Sequence, residues 1–138
     1  LMREFVDIDT LVEHRVGKSS QRIYREDGEE FFRLHETAVI EALAGQHGLV
    51  ISTGGGACLK PRNRMLLALN GTFYWMQRPL SKLSTYNRPI PQARGVEALY
   101  EERAPIYRDL AERIITVKSV DATAAEIIGE SSASRVAP

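Results

Sequence analysis

The sequence predicts an α/β fold in three layers, α/β/α, with a parallel sheet covered by helices on both faces. Two observations predict it. Short apolar runs of strand type alternate with stretches of helical periodicity, the pattern of βαβ crossovers. Three of the four strand-like runs also end in polar or glycine-rich residues, beyond the carboxyl ends of strands, where open parallel sheets hold their ligands. The length of 138 residues suits a single domain able to bury its own core.

In chain order, "EFVDID" is a short strand closed by acids. Asp9 is positioned to cap a helix through "TLVEHR", since a carboxylate accepts from the first unpaired amides. Gly17 stops that helix, and Ser19 or Ser20 caps the next. "DGEEFFRLHETAVIEALAG" is the strongest helix. Asp27 and Glu30 resemble a capping box, Gly45 ends the helix, and Phe31, Phe32, His35, Ala38, Val39, Ala42 and Leu43 form a wide apolar face. "LVIST" is a strand running into Gly54-Gly55-Gly56, "PRNRMLLALNG" a helix with a proline start, and "TFYWM" a third strand. Residues 84–95, with two prolines and few apolar anchors, read as a mobile surface loop. "VEALYEERAPIYRDLAE" is a helix bent or broken at Pro105. "RIITV" is a fourth strand, "DATAAEIIGE" a last helix, and residues 131–138 a disordered tail.

The 18 basic and 18 acidic residues balance, so no charge excess points to nucleic acid or to a membrane surface. No apolar run approaches the length of a membrane span, and no signal peptide opens the sequence. The single cysteine, Cys58, excludes an internal disulfide and suits a reducing, cytoplasmic setting.

Gly17-Lys18-Ser19 invites comparison with the end of a phosphate-binding loop, G-x-x-x-x-G-K-S/T. Val12 stands where the first glycine is needed, and the residues before Gly17 are helical. The stretch therefore reads as a helix stop followed by a cap. Asp7 and Asp9, two residues apart at a strand end, can hold a metal-bound water and accept a proton from a hydroxyl, or serve as loop and cap. Three consecutive glycines permit positive φ and close approach to backbone amides. Arg33 precedes Glu36 by three residues, so an ion pair can orient it, off the apolar face. Arg88 lies in the mobile loop, where a closing lid carries a cation to a phosphate. Cys58 and the three histidines have no metal-ligand spacing. His35 reads as a core-edge residue and Trp75 as core.

Taken in order, "FVDID", "EEFFRLHE", "STGGGACLKPRNR", "NRPIP" and "ERAPIYRDLAE" resemble the shikimate kinase family over residues 4–128. The resemblance implies a P-loop-kinase-like fold, related to nucleoside monophosphate kinases, and phosphorylation of the shikimate 3-hydroxyl with ATP and Mg2+. It implies that Asp9 is the general base and that Asp7 acts on the magnesium shell through water. Arg33 and Arg103 would clamp the shikimate carboxylate, a task suited to guanidinium forks. Gly54, Gly55 and Gly56 would approach the ring hydroxyls, and Arg88 in the lid would stabilise the transferring phosphoryl group.

Ser84 and Lys82 stand where the family often has an arginine for adenine. The family's phosphate-binding loop comes before F-x-D-x-D, and its strand lies in mid-sheet between "LVIST" and "TFYWM". That first central strand is absent from these residues, so they are expected to form most of a kinase domain (1–130), as a monomer or within a longer polypeptide. The rival expectations are a related small-molecule kinase, such as a gluconate kinase, and a non-catalytic binding domain.

Overall fold

A computed structural model describes residues 3–83 and 94–133. Arg88, the "NRPIP" motif and most of the lid lie outside the described residues. The elements run β1 (Glu4–Asp7), α1 (Ile8–Val16), α2 (Ser20–Glu26), α3 (Glu29–Leu43), β2 (Leu49–Ser52), α4 (Pro61–Ala68), β3 (Tyr74–Gln77), a 3-10 turn (Leu80–Lys82), α5 (Val96–Leu110), β4 (Arg113–Thr116) and α6 (Val120–Ala133). Among the described residues, no helix is long and apolar enough to cross a membrane.

The expected α/β class and parallel pairing are present. β1 pairs with β2 and β3 with β4, each in parallel. The described strands form two separate two-stranded sheets. A cleft of about 490 Å3, lined by Val50–Thr53 on one side and Phe73–Met76 on the other, lies between β2 and β3. That is where the family resemblance puts a further central strand.

The core is built around α3, which packs against α1, α2 and α4. Ile8, Val12, Ile23, Phe32, Val39, Ile40, Leu43 and Ala57 form its buried cluster. Ile8 and Val12 lie four residues apart on one side of α1, and Phe32, Val39, Ile40 and Leu43 repeat at helical spacing on α3. Ala42 is exposed, so the apolar face is narrower than its periodicity suggested. Arg33 and Glu36 take buried positions on that helix instead.

Several termini differ from expectation. Asp7, not Asp9, caps α1, accepting from the Thr10 amide at 3.0 Å. The strand ends one residue before Ile8, which is fully buried, so the turn begins early and Asp7 falls at the cap. Asp27 and Glu30 form no capping box. Gly28 precedes α3 with φ 88° and no side-chain cap, while Asp27 closes α2 and pairs with Lys18 at 2.7 Å. α3 stops at Leu43 with Ala44 as its cap, one residue before Gly45. α5 runs unbroken through Pro105. Proline removes one amide, and the residue four before it, Glu101, is exposed where water can serve its carbonyl. α6 reaches Ala133, three residues into the expected tail.

The GKSS reading holds. Gly17 is a left-handed cap at φ 79° whose amide donates to the Glu13 carbonyl, and Ser19 caps α2 by accepting from the Arg22 amide at 3.2 Å. Lys18 spends its charge on Asp27 and Glu26, at 2.7 and 3.0 Å.

Candidate active site

Parallel register assembles the site. Asp7 lies opposite Ser52, so the residues leaving β1 and β2 emerge side by side. Asp9 follows Asp7 by two positions, and Gly54 follows Ser52 by two. A Cβ on Gly54 would overlap the Asp9 carboxylate. The next two glycines repeat the relationship with other side chains. A Cβ on Gly55 would lie 2.6 Å from Arg103 Nη1, and one on Gly56 would lie 2.6 Å from Arg33 Nη1. Each glycine therefore faces one candidate residue. None of the three has positive φ, unlike Gly17, Gly28, Gly48 and Gly95. The triplet is glycine for lack of room, since real Cβ atoms do not approach polar atoms this closely, and not for left-handed backbone. The turn is closed by Ala57 N–H donating to the Gly54 carbonyl and Leu59 N–H to that of Gly56, both at 3.1 Å.

Arg33 is 8% exposed and sits beside the fully buried Glu36. Its Nη1 donates to both Glu36 carboxylate oxygens, at 2.9 and 3.0 Å, and its Nε reaches Glu29 at 3.4 Å. Burial opposes the charge on Arg33, but Glu36, Tyr24 and Glu29 outweigh it and hold its pKa above the ordinary value. Burial also pushes the Glu36 carboxyl up, and Arg33 only partly offsets this. Tyr24 stacks on Phe32 with ring centroids 4.7 Å apart, and burial raises its hydroxyl too. This enclosure fixes the direction of Arg33 from behind.

Arg103, on α5, is 9% exposed, and its Nε has no hydrogen-bond partner among the described residues. One turn along the same helix, Tyr107 donates its hydroxyl proton to the Gly55 carbonyl. Burial raises that hydroxyl's pKa, and the nearby Arg103 charge only partly offsets this. Tyr107 also meets Trp75 edge-on, with centroids 5.8 Å apart. Trp75 is half-buried and lines a second cleft of about 490 Å3 with Gly55, Arg78, Leu99, Arg103 and Tyr107, so it is a cleft wall and not core.

The structure thus brings together Asp9, Arg33, Arg103, Gly54, Gly55 and Gly56, with Asp7 at the neighbouring helix cap. Arg88 lies outside the described residues. Among them, no three His, Cys, Asp or Glu side chains group to hold a metal. His35 is the half-buried core-edge histidine expected, its Nδ1 accepting from Arg15 Nε at 3.2 Å. Tyr107 and Asn63 lie within the family-like motifs but carried no expected role. The signal was present for Tyr107, which falls at i+4 from Arg103 on one helix face.

Comparison with known proteins points to one family. The shikimate kinase family model matches residues 1–132. A shikimate kinase of Halorhodospira halophila is 38% identical over 122 residues, covering 81% of this chain and 68% of the relative. A bifunctional shikimate kinase/3-dehydroquinate synthase of Thermotoga maritima is 34% identical over 111 residues, 77% of this chain and 23% of the relative. Among solved structures, shikimate kinase from Acinetobacter baumannii in complex with shikimate superposes with a TM-score of 0.87 at 29% identity, covering 98% of this chain and 82% of that one. The enzyme from Aquifex aeolicus gives 0.80 at 26% identity, covering 97% and 84%.

Proposed function

The chain belongs to the shikimate kinase family, a phosphotransferase family with an alcohol acceptor, and we propose that the turn at Gly54–Gly56 is its shikimate site, with the 3-hydroxyl as acceptor. The observation that carries the residue roles is the pairing of the three glycines with Asp9, Arg103 and Arg33. A carboxylate for a hydroxyl proton and two guanidinium forks around one turn fit a small hydroxylated carboxylate. Arg33 is balanced by Glu36, while the buried Nε of Arg103 has no partner among the described residues and can take a ligand carboxylate.

In this reading Asp9 takes the hydroxyl proton as general base, while Arg33, held by Glu36, and Arg103 hold the carboxylate. ATP supplies the phosphoryl group, and Arg88 balances its charge in transit. Asp7 fits a magnesium shell. Its Oδ1 is held by the Thr10 amide at 3.0 Å, and it would act through water on an ion held mainly by the substrate phosphates and its own waters. The setting is the cytoplasm.

The test is a coupled ADP-release assay on the full-length protein with shikimate, with gluconate and with no acceptor. ADP release dependent on shikimate is expected. Release with gluconate instead would favour a related sugar-acid kinase, and shikimate binding without release would make the domain a binding module.

A further inference from the structure

Tyr107 occupies a position that the reaction scheme does not use. Its hydroxyl proton goes to the Gly55 carbonyl, in the middle of the glycine turn. A hydroxyl has one proton, so what it can offer the neighbouring Arg103 guanidinium is a lone pair. A Cβ on Gly55 would lie 2.6 Å from Arg103 Nη1 and 3.6 Å from the Tyr107 hydroxyl, so all three groups meet at one point. The Arg103 Nε is buried, with no partner among the described residues. One edge of this guanidinium therefore faces the glycine turn beside the phenol, and another is a buried donor with no acceptor among the described residues. The i,i+4 spacing on α5 and the edge contact with Trp75 hold the phenol ring in place.

We infer that Tyr107 is a positioning residue for substrate binding: its hydroxyl sets the roll of the Arg103 guanidinium against the glycine turn, presenting the Nε edge to a ligand carboxylate. The inference rests on the shikimate reading above and adds to it the residue that aims the carboxylate clamp. An arginine has several rotatable bonds, and a planar fork recognises a carboxylate only when its plane is correctly turned. A phenol hydrogen-bonded to main chain is a rigid reference for that plane. Burial raises the Tyr107 hydroxyl above its ordinary value, so it stays protonated and able to donate at neutral pH.

The experiment is calorimetric titration of the full-length protein and its Tyr107→Phe variant with shikimate and with shikimate methyl ester, which has no carboxylate charge. Phe keeps the ring on Trp75 and removes only the hydroxyl. Loss of one hydrogen bond to a charged group is worth about a tenfold change. Shikimate affinity should fall by about that factor, ester affinity by less than about twofold, and kcat should stay within about threefold. Equal weakening for both ligands would mean a merely structural role, and unchanged shikimate affinity would mean no role. Lost turnover at unchanged affinity would move the hydroxyl to the reacting atoms. Each of these overturns the inference.

A double-mutant cycle closes the remaining gap. In an Arg103→Lys background, which has no planar fork to turn, Tyr107→Phe should cost nothing further. A cost equal to that in the parent shows that Tyr107 acts independently of Arg103. If the unsubstituted protein itself fails to bind shikimate, the underlying reading falls, and that failure is recognisable because it precedes any substitution.

Discussion

The side-chain amide of Asn63 donates to the main-chain carbonyl of Ala57 at 2.9 Å, and its carbonyl accepts from the Thr37 hydroxyl at 2.9 Å. Asn63 is fully buried. One side chain on α4 thus ties the loop that closes the glycine turn to α3, which carries Arg33. Asn63→Ala would leave the Ala57 carbonyl without that donor, at a cost of about 1–3 kcal/mol. Urea unfolding of the full-length protein should show a lower midpoint with an unchanged slope.

The glycine turn can be probed against an internal control. Gly56→Ala places a methyl group on Arg33, whereas nothing lies within 4 Å of a Cβ at Gly45. The KM for shikimate should rise about tenfold in Gly56→Ala, a change of about 1.4 kcal/mol. Gly45→Ala should leave it unchanged. Equal KM values in the two variants would show that Arg33 swings aside without consequence.

Breaking the buried pair is expected to be costly. Glu36→Ala leaves Arg33 without its buried carboxylate, and removal of one partner of such a pair costs about 3–5 kcal/mol. Glu36→Gln, which still accepts a hydrogen bond, should cost less. Denaturation midpoints of the two variants order these costs, and the reverse order would contradict the pairing.

Burial pushes the Cys58 thiol up to about 11 from an ordinary 9.0. Ellman's reagent at pH 8 should therefore label the folded protein far more slowly than the unfolded one. The sign of the linkage follows. Between pH 9.0 and about 11 the unfolded thiol loses its proton while the folded one keeps it, so stability falls as pH rises through that range. The half-buried Tyr24 and Tyr107 act in the same direction, but from pH 10.0, the ordinary phenol value. Cys58→Ala should remove the thiol's slope from 9.0 to about 11, leaving only the tyrosine contribution above 10.0. An unaltered curve would show that the thiol ionises as readily folded as unfolded.

Asp9→Asn tests the base. Turnover should fall by about 10²–10⁴ while shikimate still binds in calorimetry. Near-normal turnover would remove Asp9 from proton transfer.

Much of this was legible in the residues themselves. Gly17 and Ser19 showed the helix stop and cap because each side-chain preference acts within a few residues. Asp9, Arg33, Arg103 and the glycines were found by motif, and the parallel register brings them to one turn. What escaped depends on neighbours distant in sequence. Asp7 and Asp9 have the same capping chemistry, and the choice between them was made by the burial of Ile8. Arg33 lies off an apolar stripe when α3 is considered alone, and becomes buried only once the neighbouring elements close around it. Tyr107 and Asn63 bond main-chain carbonyls, and no side-chain pattern shows which carbonyl that will be.

The site is shared between two stretches of the chain. β1 through β2 is one continuous stretch of chain, and β3 through β4 is another, so each half closes its own hydrogen-bonded ladder from local sequence. Asp9, Arg33 and the glycine turn belong to the first half, while Arg103 and Tyr107 belong to the second. The Tyr107 hydroxyl on the Gly55 carbonyl is a stitch across that seam. A ligand held by Asp9 and Arg33 on one side and by Arg103 on the other grips both stretches, so shikimate binding should slow native-state hydrogen exchange in each of them together.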